Sequence, residues 1–272
     1  MTMPSHPPGP SHPPGQSHPL GPNARNCWQA GPAQADLVRP DRPPRPLRLR
    51  AEPKPVRIDL ARTALIVVDM QNDFCHPDGW LAGIGVDVAP TRAAIAAIAA
   101  LLRPLRAADV PVIWLNWGAR PDRANLSPAL LHVYDGAAEG RGIGAPLGPR
   151  AAPVLQAGSW SAAVVEELAV DPDDIRVSKH RMSGFWDTPL EAILRNLRVD
   201  TLLFAGVNAD QCVLHTLADA NFLGFDTLMI EDAVATTSPA FCLQATVYNV
   251  RQIFGFTLTA ADLLAALAGD AP

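Results

Sequence analysis

Three features of the sequence predict an α/β fold built on a mainly parallel sheet with helices on both faces. Uninterrupted apolar runs, above all Thr63-Ala64-Leu65-Ile66-Val67-Val68, are what a central parallel strand covered on both sides requires. These runs alternate with Ala/Leu-rich stretches of helical spacing, the order that produces right-handed crossovers. Three polar residues, Asp69, Lys179 and (just past its strand) Cys212, stand at the carboxyl ends of such runs, where open α/β sheets bind ligands.

Composition narrows the function classes. The chain has 272 residues, 48% hydrophobic and 18% charged, with net charge −5, which suits one α/β domain plus an appendage. No Lys/Arg run stands out, so nucleic acid is not an expected partner. No apolar run reaches the length of a membrane span, and the Pro/His-rich start is unlike a secretory signal. The expected compartment is therefore cytoplasm, with no membrane partner. Cys27, Cys75, Cys212 and Cys242 are widely spaced without a CxxC pair; they read as reduced thiols, neither a disulfide framework nor a zinc knuckle.

Residues 1–55 carry more than half of the 28 prolines. Ser5-His6-Pro7-Pro8-Gly9-Pro10 returns as Ser11-His12-Pro13-Pro14-Gly15-Gln16 and, degenerate, from Ser17. With so little apolar periodicity the segment is expected to be disordered or polyproline-like. The spacing of His6, His12 and His18 reads as low-complexity drift, with weak metal binding as the alternative. The folded domain is expected over residues 56–272.

Within it, residues 63–68 form the first strand and Pro90 to Ala108 a helix; Val110 to Asn116 is the next strand. Trp117 to Pro149, rich in Gly, Pro, Asp and Arg, reads as a long active-site loop. Ser159 to Leu168 is expected to be helical with Ser159 as N-cap, and Asp174 to Ser178 a short strand ending at Lys179. Thr188-Pro189 with Glu191 opens another helix: a polar cap, proline at the first position, an early carboxylate. Thr201 to Ala205 is a strand that breaks at Gly206 and resumes as a helix near Asp210. Phe225 to Ile230, Pro239 to Arg251, Ile253 to Leu258 and Ala260 to Leu267 complete the series as strand, helix, strand and helix.

Cys212 thus falls in the first turn of a helix, where unpaired backbone N–H groups favour the nucleophilic thiolate. A thiol of ordinary pKa ~8.5 is only ~3% ionised at pH 7. Half ionisation needs ~2 kcal/mol, of which a helix end supplies ~0.5–1, so a cation is required. Lys179 is the candidate, and Asp69 is a carboxylate able to take the thiol proton and return it to a leaving amine. The turn from Gly206 to Cys212 presents N–H groups able to bind an oxyanion. The competing readings are a small core cysteine at 212 and a plain ion pair between Asp69 and Lys179 closing the top of the sheet.

Asp69-Met70-Gln71-Asn72-Asp73-Phe74, then Lys179, then Gly206-Val207-Asn208-Ala209-Asp210-Gln211-Cys212-Val213 resemble the isochorismatase-like cysteine hydrolases, in the right order and from about Ile58 to the end. The resemblance implies a doubly wound α/β fold on a six-stranded parallel sheet and a catalytic triad of Asp69, Lys179 and Cys212. It further implies a cis peptide at Val207–Asn208 that turns the N–H groups of Asn208 and Cys212 into an oxyanion hole. Gly158-Ser159-Trp160 and Ser183 to Leu190 look most like the ureidoacrylate amidohydrolases of that family, with biuret-type hydrolases close behind. The family's metal-dependent nicotinamidases carry histidines after the second strand, and Asn116 to Ser127 has none. Isochorismatases that split a vinyl ether replace the cysteine.

Asn116, Trp117 and Arg120 follow the second strand, and Phe74, Trp80, Phe185 and Trp186 are candidates to wall a substrate cavity, ordinary packing being the alternative for each aromatic. Arg120 or Arg181 would suit a carboxylate or ureide oxygen. His76 and His180 are expected near the site, His215 as a buried, satisfied histidine, Cys75 in a loop and Cys242 in the core. The residues and the resemblance together predict a cofactor-free, metal-free amidohydrolase of a small linear amide or ureide, and the resemblance implies a homo-oligomer (dimer or tetramer). The alternatives are a biuret, triuret or N-carbamoyl amino acid hydrolase of the same mechanism, or a non-catalytic binding or scaffold protein on the same fold.

Overall fold

The computed structural model describes residues 17–269. Residues 63–68 are all buried and form β1 (Thr63–Val68) at the centre of a six-stranded sheet. With β2 (Val112–Trp117), β3 (Ile175–Lys179), β4 (Thr201–Gly206), β5 (Asp226–Val234) and β6 (Phe256–Leu258), the spatial order is β3-β2-β1-β4-β5-β6 and every pairing is parallel. The order reverses direction between β1 and β4. In doubly wound sheets that switch point opens a crevice beyond the strand ends, here the one that Asp69 and Cys212 enter from either side.

The helices follow from the same pattern. In α1 (Ala89–Ala107), Thr91, Ala94, Ile98, Leu101, Leu102 and Leu105 are buried, a spacing of three and four that places one apolar stripe on the sheet. Each such Leu or Ile contributes about 1.5–3 kcal/mol by leaving water. α1 packs against α6 (Ala260–Ala268), whose N-terminus is a capping box between Thr259 and Asp262. The crossover from β4 to β5 runs the opposite way along the sheet from that of β1 to β2. Right-handedness therefore puts α4 (Leu214–Phe222) on the other face, together with α3 (Leu190–Asn196), which joins β3 to β4. α5 (Ala240–Asn249) precedes β6.

Three expectations need correction. The proline-rich segment is ordered within the described residues. His18–Leu20, Trp28–Ala30 and Ala35–Asp36 form a small antiparallel sheet, and Pro46–Leu49 pairs with Val56–Asp59. The reason is anchoring: the buried Arg25 guanidinium donates to the Ala61 carbonyl at 3.1 Å and reaches the Asp109 carboxylate at 2.9 Å. Glu52 bridges Thr257 on β6, so the segment next to the domain is part of its sheet edge. His6 and His12 lie outside the described residues.

Second, Ser159 to Leu168 is not helical. The carbonyls that a helix would use internally accept instead from the turn after β1: Trp160 O from Asn72 Nδ2 (2.8 Å), Ser161 O from Asp73 N, Ala162 O from Gln71 Nε2 (2.7 Å) and Ala163 O from Asn72 N. Ser159 does cap, accepting from Ala162 N–H at 3.2 Å, but only a turn. Third, the loop after β2 contains a helix, α2 (Pro128–Tyr134), with Ser127 accepting from Leu130 N–H and Pro128 at its first position.

These contacts define a truncation that leaves the fold intact. Removing residues 1–45 retains the Pro46–Leu49 strand, whereas a cut at residue 56 would strip it from Val56–Asp59. The 46–272 protein is expected to keep its turnover while losing roughly 1–3 kcal/mol of stability with the buried Arg25 contacts. Parallel urea denaturation and steady-state assays of the two lengths check this.

Candidate active site

Local backbone geometry sets each member of the site. β1 ends in a tight turn: Asp69 has φ 50°, its N–H donates to Leu115 O at 2.9 Å and its carbonyl accepts from Gln71 N–H at 2.7 Å. A left-handed φ at a residue other than glycine is unfavourable, and the surroundings hold it because the carboxylate is anchored: Oδ1 accepts the Trp117 N–H at 3.0 Å. Gln71 fixes the same strand end, accepting from Trp117 N–H and donating to Trp117 O at 2.8 Å. β4 ends at Gly206, with φ 111°, where an added Cβ would stand 2.0 Å from Val68 O. Only glycine allows β4 to lie so close to β1 there. The Val207–Asn208 peptide is cis, and Ala209–Val213 forms a single π turn that carries Cys212 and runs directly into α4.

Lys179 reaches the crevice from the sheet's edge. It ends β3, two strands or about 10 Å from β1, so its side chain must cross the end of β2. Trp117 lies there, and the ammonium rests 4.4 Å from the indole centroid, a cation–π contact in a desolvated place. Lys179 Nζ then meets Asp69 Oδ2 at 2.8 Å, Cys212 Sγ at 3.3 Å and the Arg181 carbonyl at 3.2 Å. All three side chains are buried, Asp69 1%, Lys179 0% and Cys212 4% exposed. Asp69 Oδ2 makes the ion-pair contact but no directional hydrogen bond, which leaves a lone pair open to the thiol proton. The Asn208 N–H has no acceptor among the described residues.

Burial changes the resting protonation state expected from the sequence. The Cys212 thiol is pushed up to about 12 by desolvation, against a downward pull from Lys179 and a further upward push from Asp69. Asp69 is also raised, by burial first, with Lys179 opposing. The physical reason is charge count: Asp69 and Lys179 already form a neutral pair, and an ionised sulfur beside them would leave one uncompensated negative charge out of water. The resting thiol therefore keeps its proton.

Cys75, buried under α1, is likewise pushed up to about 12 by desolvation. Both thiols bind protons more tightly folded than unfolded, where the pKa is ~8.5. Their contribution is complete below that value and is lost as pH rises toward the folded one, about 2 kcal/mol for one such thiol between pH 7 and 10. Urea unfolding at pH 7.5 and 10 should show the loss, and the Cys75→Ala/Cys212→Ala protein a shallower one.

The remaining candidates divide. Phe74, Trp80 and Trp117 are joined in a line of rings by Tyr134, the last residue of α2. Phe74 meets Trp80 edge-on at 6.3 Å, Trp80 stacks on Tyr134 at 5.2 Å, and Tyr134 meets Trp117 at 5.3 Å. Asn116 alternates with Trp117 along β2; its Oδ1 is buried without a hydrogen-bond partner, and it lines a cavity with Trp114, Trp117, Ser159, Arg176 and Ser178. Arg120 is exposed and held by Asp122 in a bidentate pair.

Phe185 and Trp186 lie along α3 and α4 rather than over the triad. Phe185 packs on Phe225, just before β5 begins, and the exposed Trp186 donates to Asp219 Oδ2 at 2.8 Å. Gly184 N–H bonds Thr216 Oγ1, which draws the chain down that face. Arg181 is tied to Asp187 and to the Asn125 carbonyl. His180 lies 3.6 Å from Asp187, and His76 packs on Trp160 and accepts from Asp78 N–H. His215 is exposed, with Nδ1 against the Gln211 carbonyl at 2.7 Å. Cys75 belongs to a short helix, and Cys242 is half-buried.

Two residues near the triad escape the sequence reading. Tyr134 sits in a loop without periodicity, so nothing marks it before the chain folds. Asp73 was legible only as motif: its buried carboxylate accepts from Trp80 N–H at 3.0 Å and Leu155 N–H at 2.7 Å, fastening the covering segment.

The stretch that carries the site also matches known proteins. An isochorismatase domain model matches residues 63–262. The chain is 35% identical over 229 residues to the ureidoacrylate amidohydrolase RutB of Azorhizobium caulinodans, covering 82% of this chain and 98% of that protein. It is 34% identical over 231 residues to RutB of Agrobacterium fabrum, covering 83% and 99%. Among solved structures, a cysteine hydrolase from Pseudomonas syringae pv. phaseolicola superposes with TM-score 0.66 at 26% identity, covering 85% of this chain and all of that one. N-carbamoylsarcosine amidase from Thermoplasma acidophilum gives 0.56 at 25%, covering 73% and 96%.

Proposed function

The chain belongs to the isochorismatase domain family, and from that premise we propose that it is a cysteine-dependent amidohydrolase of a small linear amide or ureide. The observation that carries the reading is a single buried ammonium touching both a carboxylate and a thiol, Lys179 Nζ to Asp69 Oδ2 and to Cys212 Sγ. Such a trio supplies a base, a soft nucleophile and the cation that stabilises it.

In the proposed cycle Asp69 takes the thiol proton as Cys212 attacks the carbonyl carbon. Lys179 offsets the negative charge that the departing proton leaves on the sulfur. The N–H groups of Asn208 and Cys212 receive the tetrahedral oxyanion. Protonated Asp69 then gives its proton to the departing nitrogen, and a thioester remains on Cys212. Water, deprotonated by Asp69, attacks the thioester and releases the acid and the thiol. The net reaction adds one water across one C–N bond, and a carbamate product would decompose unaided.

The RutB likeness supports a ureidoacrylate-like substrate, and the amidase neighbour keeps an N-carbamoyl amino acid as the second choice. Of the sequence candidates, Phe74, Trp80 and Trp117 stand in the line of rings that ends at Lys179. The covering segment that carries α2 must shift for any substrate to reach a sulfur so nearly enclosed. A scaffold protein without turnover would have no use for this charge arrangement. Ammonia release from a panel of 3-ureidoacrylate, biuret and propionamide, wild type against Cys212→Ala, tests the reading; equal release by both proteins would end it.

No helix among the described residues is long and apolar enough to cross a membrane. Four unpaired cysteines suit a reducing cytoplasm. The exposed Phe222, Phe241, Tyr248 and Ile253 around α5 support self-association.

A further inference from the structure

The molecule offers several unassigned features. The cavity lined by Arg25, Arg106 and Asp174 holds charged groups already paired within the protein. The aromatic line over the triad is different, because two of its donors have nothing to bind. The Trp117 indole N–H is fully buried and makes no hydrogen bond of good geometry, although it faces the Cys212 sulfur closely enough to pull that thiol down. The Tyr134 hydroxyl engages no hydrogen-bond partner among the described residues, although its ring is wedged between Trp80 and Trp117. Buried donors are ordinarily satisfied, and the Trp117 N–H is the exception here, with the hydroxyl of the half-buried Tyr134 beside it; beside a reactive centre such an exception is where a ligand atom fits.

We propose that the Tyr134 hydroxyl and the Trp117 indole N–H bind an oxygen of the substrate's non-reacting end, a second carbonyl or a carboxylate, and so select oxygen-bearing ureides over simple amides. This rests on the amidohydrolase reading and extends it to specificity. The chemistry of the pair is one-sided. An indole N–H donates only. The phenol is held in its protonated form, by burial first and by the charge of the reacting groups beside it, Asp69 at rest and Cys212 once ionised. The negative groups nearby belong to the reaction, so the donors lie where an acceptor-rich substrate would otherwise meet repulsion. Tyr134 comes from α2, which has no buried residue, so the helix that covers the triad would bring one of the recognition groups with it.

The test separates binding from turnover. In Cys212→Ala protein, calorimetric titration with 3-ureidoacrylate and biuret reads affinity without chemistry. Adding Tyr134→Phe, which keeps the ring in its stack, is expected to weaken binding about 10- to 100-fold, the range for leaving a hydrogen-bonding pair unmade. Trp117→Phe should do the same by an independent donor, with thermal melts confirming that each variant folds. With Cys212 present, Tyr134→Phe should raise KM far more than it lowers kcat. It should also lower the preference for biuret over propionamide by a similar factor. Unchanged affinity in both variants, equal losses for biuret and propionamide, or no binding of either ureide to Cys212→Ala would overturn the assignment. Binding that depends on Tyr134 in a protein that turns over none of the probes would instead overturn the amidohydrolase reading alone.

Discussion

Replacing Cys212 with alanine is expected to lower ureide turnover by about 10,000-fold or more, the scale seen when a covalent nucleophile is removed. Nothing near the site can take its place. Thr216 Oγ1 already donates to the Cys212 carbonyl at 2.6 Å, and Met182 sulfur, 3.8 Å from Sγ, has no proton to give up. Serine should rescue little, because an alkoxide is far harder to form than a thiolate beside the same carboxylate. The fold should tolerate the change: the sulfur is small and its loss leaves a cavity of modest cost, about 1 kcal/mol. Intact-mass measurement during slow turnover should find the acyl adduct on the wild-type protein and none on Cys212→Ala. An adduct on another residue would move the nucleophile elsewhere.

The catalytic pH profile ought to reflect the resting proton rather than a free thiolate. With the thiol pushed up by burial and Asp69 as its acceptor, kcat/KM should rise through the carboxylate's raised pKa and remain level past pH ~8.5, where an isolated thiol would titrate. The sequence alone pointed to the opposite resting state, since it shows a cysteine at a helix start and a lysine but not how deeply both are enclosed.

What could be read in advance was whatever repeats along one element. The unbroken apolar run 63–68, the three- and four-residue spacing of α1 and the glycine at 206 each declare a local structure, and the order of strands and helices implied their parallel arrangement. What could not be read depends on partners distant in the chain. The stretch Ser159 to Leu168 has helical spacing, yet its carbonyls are claimed by Gln71, Asn72 and Asp73. Arg25 looks like one more charge in a proline-rich arm until it meets Ala61 and Asp109. Phe185 and Trp186 follow Lys179 closely and still leave the site, because Gly184 takes the chain down along α4. Tyr134 arrives from the least regular loop. Strand ends were thus predictable as a place for chemistry, and the walls of that place were not.

Lys179→Met is expected to destabilise the protein by about 3–5 kcal/mol, because it leaves a buried carboxylate without its cation. Methionine keeps an apolar stem over Trp117, so the loss would come from charge and not from packing. Asp69 would respond by holding a proton, its folded pKa moving further above the unfolded ~3.9. Folded protein would then bind more protons than unfolded, and the variant's stability would fall as pH rises through that folded pKa. The deficit against wild type should accordingly be small at pH 5 and large at pH 8. Adding Asp69→Asn removes the stranded charge, and the Asp69→Asn/Lys179→Met protein should recover most of the loss while remaining inactive. Urea midpoints of the four proteins at the two pH values measure the coupling. If Lys179→Met matches wild type at pH 8, the ammonium is not what keeps Asp69 ionised in the interior, and the proton it is meant to receive from Cys212 has no place to go.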